Sequence, residues 1–208
     1  MNTNSTISHN YARLRKSLFF LPIILLALLI LFLYFNHALN VYGYTVIQKS
    51  SFFAINAYLG QYPNLESNFT QFGDCLISLS LLSVFLRYGP KLWEALISAS
   101  LISAFFSILL KVLFAVPRPA AVFNHTSFLI TGKILLGNNS LPSGHSITIF
   151  TTLTVIMYAF MPQRLSYKIM WFLGLTFIGL MLALSRVALG AHYPLDVLSG
   201  CIIGYLSG

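Results

Sequence analysis

Apolar residues recur along this chain in long runs, separated by short polar or turn-forming segments, rather than in the alternating pattern of half-buried strands. The first run, 18–35, follows Arg13, Arg15 and Lys16, and its 18 residues rise about 27 Å at ~1.5 Å each, close to the hydrocarbon thickness of a bilayer. It exceeds the apolar stretch of a secretory signal, and no small-residue cleavage site follows at Asn36, His37 and Ala38, so a retained first helix is predicted. Further spans are predicted at 72–88, 92–116, 143–161 and 169–189, and a sixth begins at Val197. From there to Gly208 the chain rises only about 18 Å, the pattern expected of a last helix cut short. The stretch 36–71 is too polar to cross, and within it 46–59 is predicted to lie along the interface as a short helix. The expected architecture is all-α: a polytopic membrane bundle of six transmembrane helices forming a single domain over 1–208.

Composition agrees with this picture. Of 208 residues, 57% are hydrophobic and 8% charged, which excludes an ordinary soluble domain and a disordered chain. The net charge of +8 invites a nucleic-acid reading, but the 12 Lys and Arg residues form no basic stripe, and no nucleic-acid partner is expected. Their placement is topological. With the N-terminus cytoplasmic, Arg13, Arg15, Lys16, Arg87, Lys91, Arg164 and Lys168 fall inside, against Lys49 and Lys133 outside. Cys75 and Cys201 stand in apolar surroundings and read as packing residues, and the Cys and His spacing does not suit zinc. Tyr34, Tyr42, Tyr44, Tyr88 and Tyr158 are expected in interfacial aromatic belts, Asp74 and Glu94 at the interfaces, and Tyr193 near the pocket.

The three remaining cations, Lys111, Arg118 and Arg186, fall at the outer ends of the third and fifth spans. Either of the first two alone is explained by snorkelling or by a loop. Two further segments reach the same face. Pro142, Ser143, Gly144 and His145 open the fourth span, where free N–H groups and the helix dipole favour an anion. Ser185 to Asp196 brings an arginine, a histidine and an aspartate to another outer helix end, with His192 and Asp196 four apart, so that the carboxylate can accept the Nδ1 proton and hold Nε2 ready as a nucleophile.

In order, the segments read K-x-x-x-x-x-x-R-P, P-S-G-H and S-R-x-x-x-x-x-H-x-x-x-D, matched at Lys111, Arg118, Pro119, Pro142, Ser143, Gly144, His145, Ser185, Arg186, His192 and Asp196. This pattern resembles the type 2 phosphatidic acid phosphatase family, membrane lipid phosphatases related to the vanadium-dependent haloperoxidases. The resemblance implies His192 as the nucleophile that forms a phosphohistidine, Asp196 as its orienting group and His145 as general acid. It also implies Lys111, Arg118, Arg186, Ser143 and Gly144 as the phosphate cradle, with no metal or other cofactor. The implied substrate is a lipid phosphate or diphosphate: undecaprenyl diphosphate is favoured, with phosphatidate, phosphatidylglycerol phosphate and lipid A phosphates as the other envelope lipids. The compact chain resembles bacterial members, which implies a cytoplasmic (inner) membrane protein with its site facing the periplasm. Other readings stay open: a phosphotransferase that passes the phosphoryl group to a second lipid, and a membrane protein that binds or translocates a lipid phosphate without cleaving it; a haloperoxidase is a third, opposed by the apolar chain, since those relatives are soluble. Oligomeric state is not legible.

Overall fold

Where the chain offers uninterrupted apolar sequence it forms long helices, and these end where the backbone turns left-handed, at His37, Ala115 and Gly190, or where proline follows, as at Pro162. The computed structural model describes residues 3–14 and 16–208; Arg15, counted above among the cytoplasmic basic residues, lies outside the described residues. In chain order the helices are α1 (Thr3–Ala12), α2 (Phe20–Phe35), α3 (Val41–Ile47), α4 (Lys49–Leu59), α5 (Pro63–Gln71), α6 (Cys75–Leu82), α7 (Phe85–Tyr88), α8 (Pro90–Phe114), α9 (Pro119–Val122), α10 (Gly144–Ala159), α11 (Leu165–Ala188) and α12 (Pro194–Ser207). Short 3₁₀ turns occupy Lys16–Phe19 and His125–Ser127.

Among the described residues three helical runs, Lys16–Phe35, Pro90–Val122 and Leu165–Ala188, are long and apolar enough to cross a membrane. Along α8, Leu101, Phe105, Ile108 and Val112 recur every three or four residues on one exposed face, while Leu92, Leu96, Ala99 and Ser103 line a buried one. Ile169, Leu173 and Phe177 form a second exposed apolar face on α11. So extended an apolar surface is foreign to water and suited to acyl chains.

The third, fourth and fifth predicted runs appear as α8, α10 and α11 with ends shifted by a few residues. The sixth starts three residues before Val197, because Pro194 opens the helix and the Asp196 carboxylate caps it. The second predicted run is not one regular helix. Between α6 and α7, Ser83 and Val84 keep right-handed backbone, but the bonds Ser83 N–H to Ser80, Leu86 N–H to Ser83 and Arg87 N–H to Val84 skip only three residues, which tightens the turn.

The polar stretch 36–71 departs further from expectation, forming α3, α4 and α5 instead of one interfacial helix. Tyr44, Gln48, Phe52 and Asn56 recur every four residues along α3 and α4, and each is at most 4% exposed. Gln48 Oε1 accepts the Leu195 N–H at 2.7 Å, while Asn56 Nδ2 donates to the carbonyls of Leu129, Val187 and Ala188 at 2.8, 3.2 and 2.9 Å. This segment therefore braces the end of α11 and the start of α12. Tyr44 and Tyr158, expected in an interfacial belt, are buried instead, whereas Tyr34, Tyr42 and Tyr88 are exposed. Tyr193 is fully buried, with its ring against Phe52, Phe123 and Tyr44.

α1 was not expected from the sequence, since only Ile7 and Tyr11 give it an apolar face. Ile7 packs among Leu92, Leu96, Val155 and Ala159, and Asn10 Nδ2 donates to the Ala159 carbonyl at 2.8 Å. Arg13 Nη1 bonds Gln163 Oε1 at 3.2 Å, which places α1 against the far end of α10 from Ser143.

α10 and α12 run parallel and in close contact. A Cβ placed on Gly200, Gly204 or Gly208 would lie 2.7, 2.5 or 2.6 Å from the carbonyl oxygens of Ser143, Ile147 and Thr151 respectively. The two four-residue periods march together, and only hydrogen-sized side chains admit so close an approach. In consequence the first turns of both helices open side by side.

Candidate active site

The end of α11 is shaped by Gly190, whose φ of +74° is a left-handed conformation that favours glycine. The reversal returns the chain so that the Arg186 carbonyl accepts the N–H groups of both Ala191 and His192, at 3.0 and 3.2 Å. Arg186 thus fixes the backbone of His192 while its own guanidinium remains free to reach elsewhere. His192 is 2% exposed.

Asp196, wholly buried, is held from four directions. Tyr44 Oη donates to Oδ1 at 2.7 Å, and Ser140 Oγ and the Tyr193 N–H donate to Oδ2 at 2.5 and 2.9 Å. Its carbonyl accepts the Ser143 N–H at 2.9 Å, which locks the start of α10 to the start of α12. His192 Nδ1 stands 3.5 Å from Asp196 Oδ2 and 3.5 Å from Ser140 Oγ, the outer limit of hydrogen bonding. The expected pairing of His192 with Asp196 is therefore present as a looser contact than the four-residue spacing suggested, shared with a serine. Burial pushes the His192 imidazole down to about 4, against the opposing pull of Asp196, so it is neutral at pH 7.

On the other edge of the imidazole, Nε2 lies 3.4 Å from Arg118 Nη1. The Arg118 guanidinium is held by Asn139 Oδ1 at 2.8 Å from Nε and by the Ala191 carbonyl at 3.2 Å from Nη1. Arg186 Nη1 donates to Thr70 Oγ1 at 2.8 Å, and its buried Nε has no partner. Lys111, near the end of α8, approaches the first residue of α10: a Cβ on Gly144 would lie 3.3 Å from Lys111 Nζ and 3.8 Å from Ser107 Oγ. Ser143 caps α10, its Oγ accepting the Ser146 N–H at 3.4 Å and the Ser146 hydroxyl at 2.9 Å.

His145, in the first turn of α10, is packed against Gly73, where a Cβ would come within 2.6 Å of its own Cβ. It borders a cavity of about 260 Å³ that also touches Asp74, Ser103, Ser107 and Gly144. A smaller cavity of about 150 Å³ reaches Arg186, Ala191 and Lys133. A larger cavity, about 850 Å³, opens among Leu18, Met161, Phe172 and Tyr205, remote from these residues. All eight side chains and backbone positions singled out from the sequence are thus drawn to one end of the bundle. Tyr44, Thr70, Asn139 and Ser140 join them unforeseen, since none carries a pattern apart from the four-residue recurrence that includes Tyr44. Three cations with spare N–H groups beside a helix N-terminus suit an anion with several oxygens. No trio of His, Cys, Asp or Glu among the described residues is placed to hold a metal.

The fold has relatives among solved structures. LpxE of Aquifex aeolicus superposes with a TM-score of 0.62 at 25% identity, covering 77% of this chain and 92% of its own. A transmembrane PAP2 type phosphatidylglycerolphosphate phosphatase from Bacillus subtilis gives 0.64 at 23% identity, covering 89% and 91%. No curated protein sequence matches the chain. The PAP2 superfamily model matches residues 92–208, more than half of the chain and the whole of the segment that carries Lys111, Arg118, His145, Arg186, His192 and Asp196, and the chain belongs to that superfamily.

Proposed function

We propose that the protein is an integral membrane phosphatase that hydrolyses a lipid phosphate or diphosphate through a phosphohistidine at His192, without a metal. The carrying observation is the arrangement around the His192 ring, with Nδ1 on the Asp196 side and Nε2 on the Arg118 side. A neutral imidazole so held presents its lone pair to a phosphoryl group drawn in by Arg118, Arg186 and Lys111. His192 Nε2 attacks phosphorus, the ester bond breaks, and His145 protonates the departing oxygen. In the second step His145 accepts a proton from water as the water oxygen attacks phosphorus and the P–N bond breaks, releasing phosphate. Asp196 orients and stabilises the His192 ring, while Ser143 and the Gly144 N–H complete the cradle.

Six membrane crossings, with α6 and α7 together as the second and α12 as the sixth, accommodate the exposed apolar faces. Arg13 bonds Gln163, and the Lys91 N–H bonds Asn4, at the end of the bundle opposite His192, so Arg13 and Lys91, two of the basic residues counted as cytoplasmic, lie away from the site. The positive-inside bias supports an N-terminus in the cytoplasm and a site at the periplasmic face of an inner membrane. A substrate with its phosphate at headgroup level and its chains in the bilayer follows, and the solved relatives support a lipid phosphate. Undecaprenyl diphosphate, phosphatidate, phosphatidylglycerol phosphate and lipid A are the candidates.

The test is inorganic phosphate release by detergent-purified protein in EDTA from each of those lipids. Chelator-resistant release from at least one supports the reading. Release abolished by EDTA and restored by a divalent cation contradicts it.

A further inference from the structure

His145 has a second neighbour that the family motifs do not include. The α5–α6 junction lays Gly73 directly against the His145 side chain, and the next residue, Asp74, borders the same 260 Å³ cavity. Asp74 caps α6 with one carboxylate oxygen: Oδ1 accepts the N–H groups of Leu76 and Ile77 at 2.9 and 3.2 Å. Its other oxygen, Oδ2, has no hydrogen-bond partner among the described residues, and the side chain is only part-buried, so water reaches it. The charged and titratable groups that bear on His145 are Lys111 from α8, Arg186 from α11, His192 from the α11–α12 loop and Asp74 from the start of α6. Asp74 is the single carboxylate in that set.

That imbalance matters for the chemistry. A general acid must carry its proton when the phosphoryl group arrives, and burial together with two cations works against a charged imidazole. A carboxylate sharing the cavity counters them in part.

We propose that Asp74 is a positioning residue for His145, its free carboxylate oxygen facing the imidazole directly or through one water and favouring the protonated ring that hands its proton to the leaving oxygen. In that step the P–N bond to His192 forms and the P–O ester bond breaks. The bonding pair goes to the ester oxygen, the proton passes to it from His145, and Asp74 remains ionised throughout. Two carboxylate–imidazole couples then flank the phosphoryl site: Asp196 with His192 on the attacking side, and Asp74 with His145 on the departing side. The inference rests on the assignment of His145 as the general acid.

The test separates helix capping from electrostatics. Asn and Ser cap helices about as well as Asp does but carry no charge, so Asp74→Asn and Asp74→Ser keep the start of α6 and remove the carboxylate. The probes are dioctanoyl phosphatidate, whose alkoxide needs a proton to leave, and para-nitrophenyl phosphate, whose phenolate does not. Each variant is expected to lower kcat on phosphatidate about tenfold, part of the roughly 10²–10⁴ that general acid catalysis supplies, with the basic limb of the kcat profile moved to lower pH. The first-turnover burst of para-nitrophenol, which precedes the water step that both esters share, stays unchanged, and Asp74→Glu restores part of the loss. If both uncharged variants keep the wild-type rate and pH profile on phosphatidate, or slow both esters equally, the role assigned to Asp74 is wrong. His145→Ala serves as the reference. If it shows the leaving-group dependence and the Asp74 variants do not, only the Asp74 proposal falls. If it shows none, the general-acid assignment falls first.

Discussion

Tyr44 Oη donates to Asp196 Oδ1 at 2.7 Å, joining a residue of the polar stretch after the first membrane helix to the carboxylate behind His192, 152 positions later in the chain. Ser140 Oγ completes the grip on Oδ2 at 2.5 Å. Removing either hydroxyl leaves a buried carboxylate oxygen short of a donor, a loss of about 1–3 kcal/mol in stability. Tyr44→Phe is expected to fold, melt at lower temperature and lose kcat several-fold at unchanged KM. Ser140→Ala is expected to lose more, because its hydroxyl also stands 3.5 Å from His192 Nδ1. Thermal melts and steady-state kinetics on the preferred lipid check both.

Arg118 owes its direction to Asn139, which accepts from Nε and leaves Nη1 beside His192. Asn139→Leu is expected to raise KM with a smaller effect on kcat. Arg118→Lys is not expected to restore activity lost in Arg118→Ala, because an ammonium lacks the planar fork that bonds Asn139, Ala191 and a phosphoryl oxygen together. Equal kinetics for Arg118→Lys and wild type contradict this.

Two glycines separate packing from chemistry. At Gly204 an added Cβ meets the Ile147 carbonyl at 2.5 Å, backbone that cannot yield, so Gly204→Ala is expected to part α10 from α12 and cost about 1–3 kcal/mol. At Gly144 the nearest atom is the far end of Lys111 at 3.3 Å, which can swing away. Gly144→Ala is therefore expected to keep its melting temperature and lose phosphate affinity.

For His192 the sign of the pH effect is set by burial. Its folded value, about 4, lies below the ordinary 6.5, so the unfolded chain binds the extra proton between those values and stability falls as pH drops through that window. Only the neutral ring carries a lone pair at Nε2, so the acid limb of kcat/KM is expected near pH 4. A limb near 6.5 contradicts a nucleophile buried as described.

The motifs proposed as catalytic were legible because each is compact in sequence, and the helices bring them to one end of the bundle. What holds them together was less so. Tyr44, Gln48, Phe52 and Asn56 do recur every four residues, but a polar stretch outside the apolar runs offers no sign that this face turns inward to carbonyls and a carboxylate. Asn139 and Ser140 sit in irregular chain, where contacts depend on loop geometry rather than on period. Gly200, Gly204 and Gly208 were visible in the sequence, yet their partner helix, α10, is settled only by the paired carbonyls of Ser143, Ile147 and Thr151. α1 forms because Ile7 and Asn10 find a site on α8 and α10, a tertiary effect that local propensity does not reveal.

The most direct test of the central claim is a rapid-quench experiment with the preferred lipid carrying ³²P in its scissile phosphate. The account predicts label bound to the wild-type protein, labile in acid and stable in base as a phosphohistidine is, mapped to the peptide containing His192 and absent from a folded His192→Ala variant that releases no phosphate. Undiminished phosphate release by His192→Ala would contradict it.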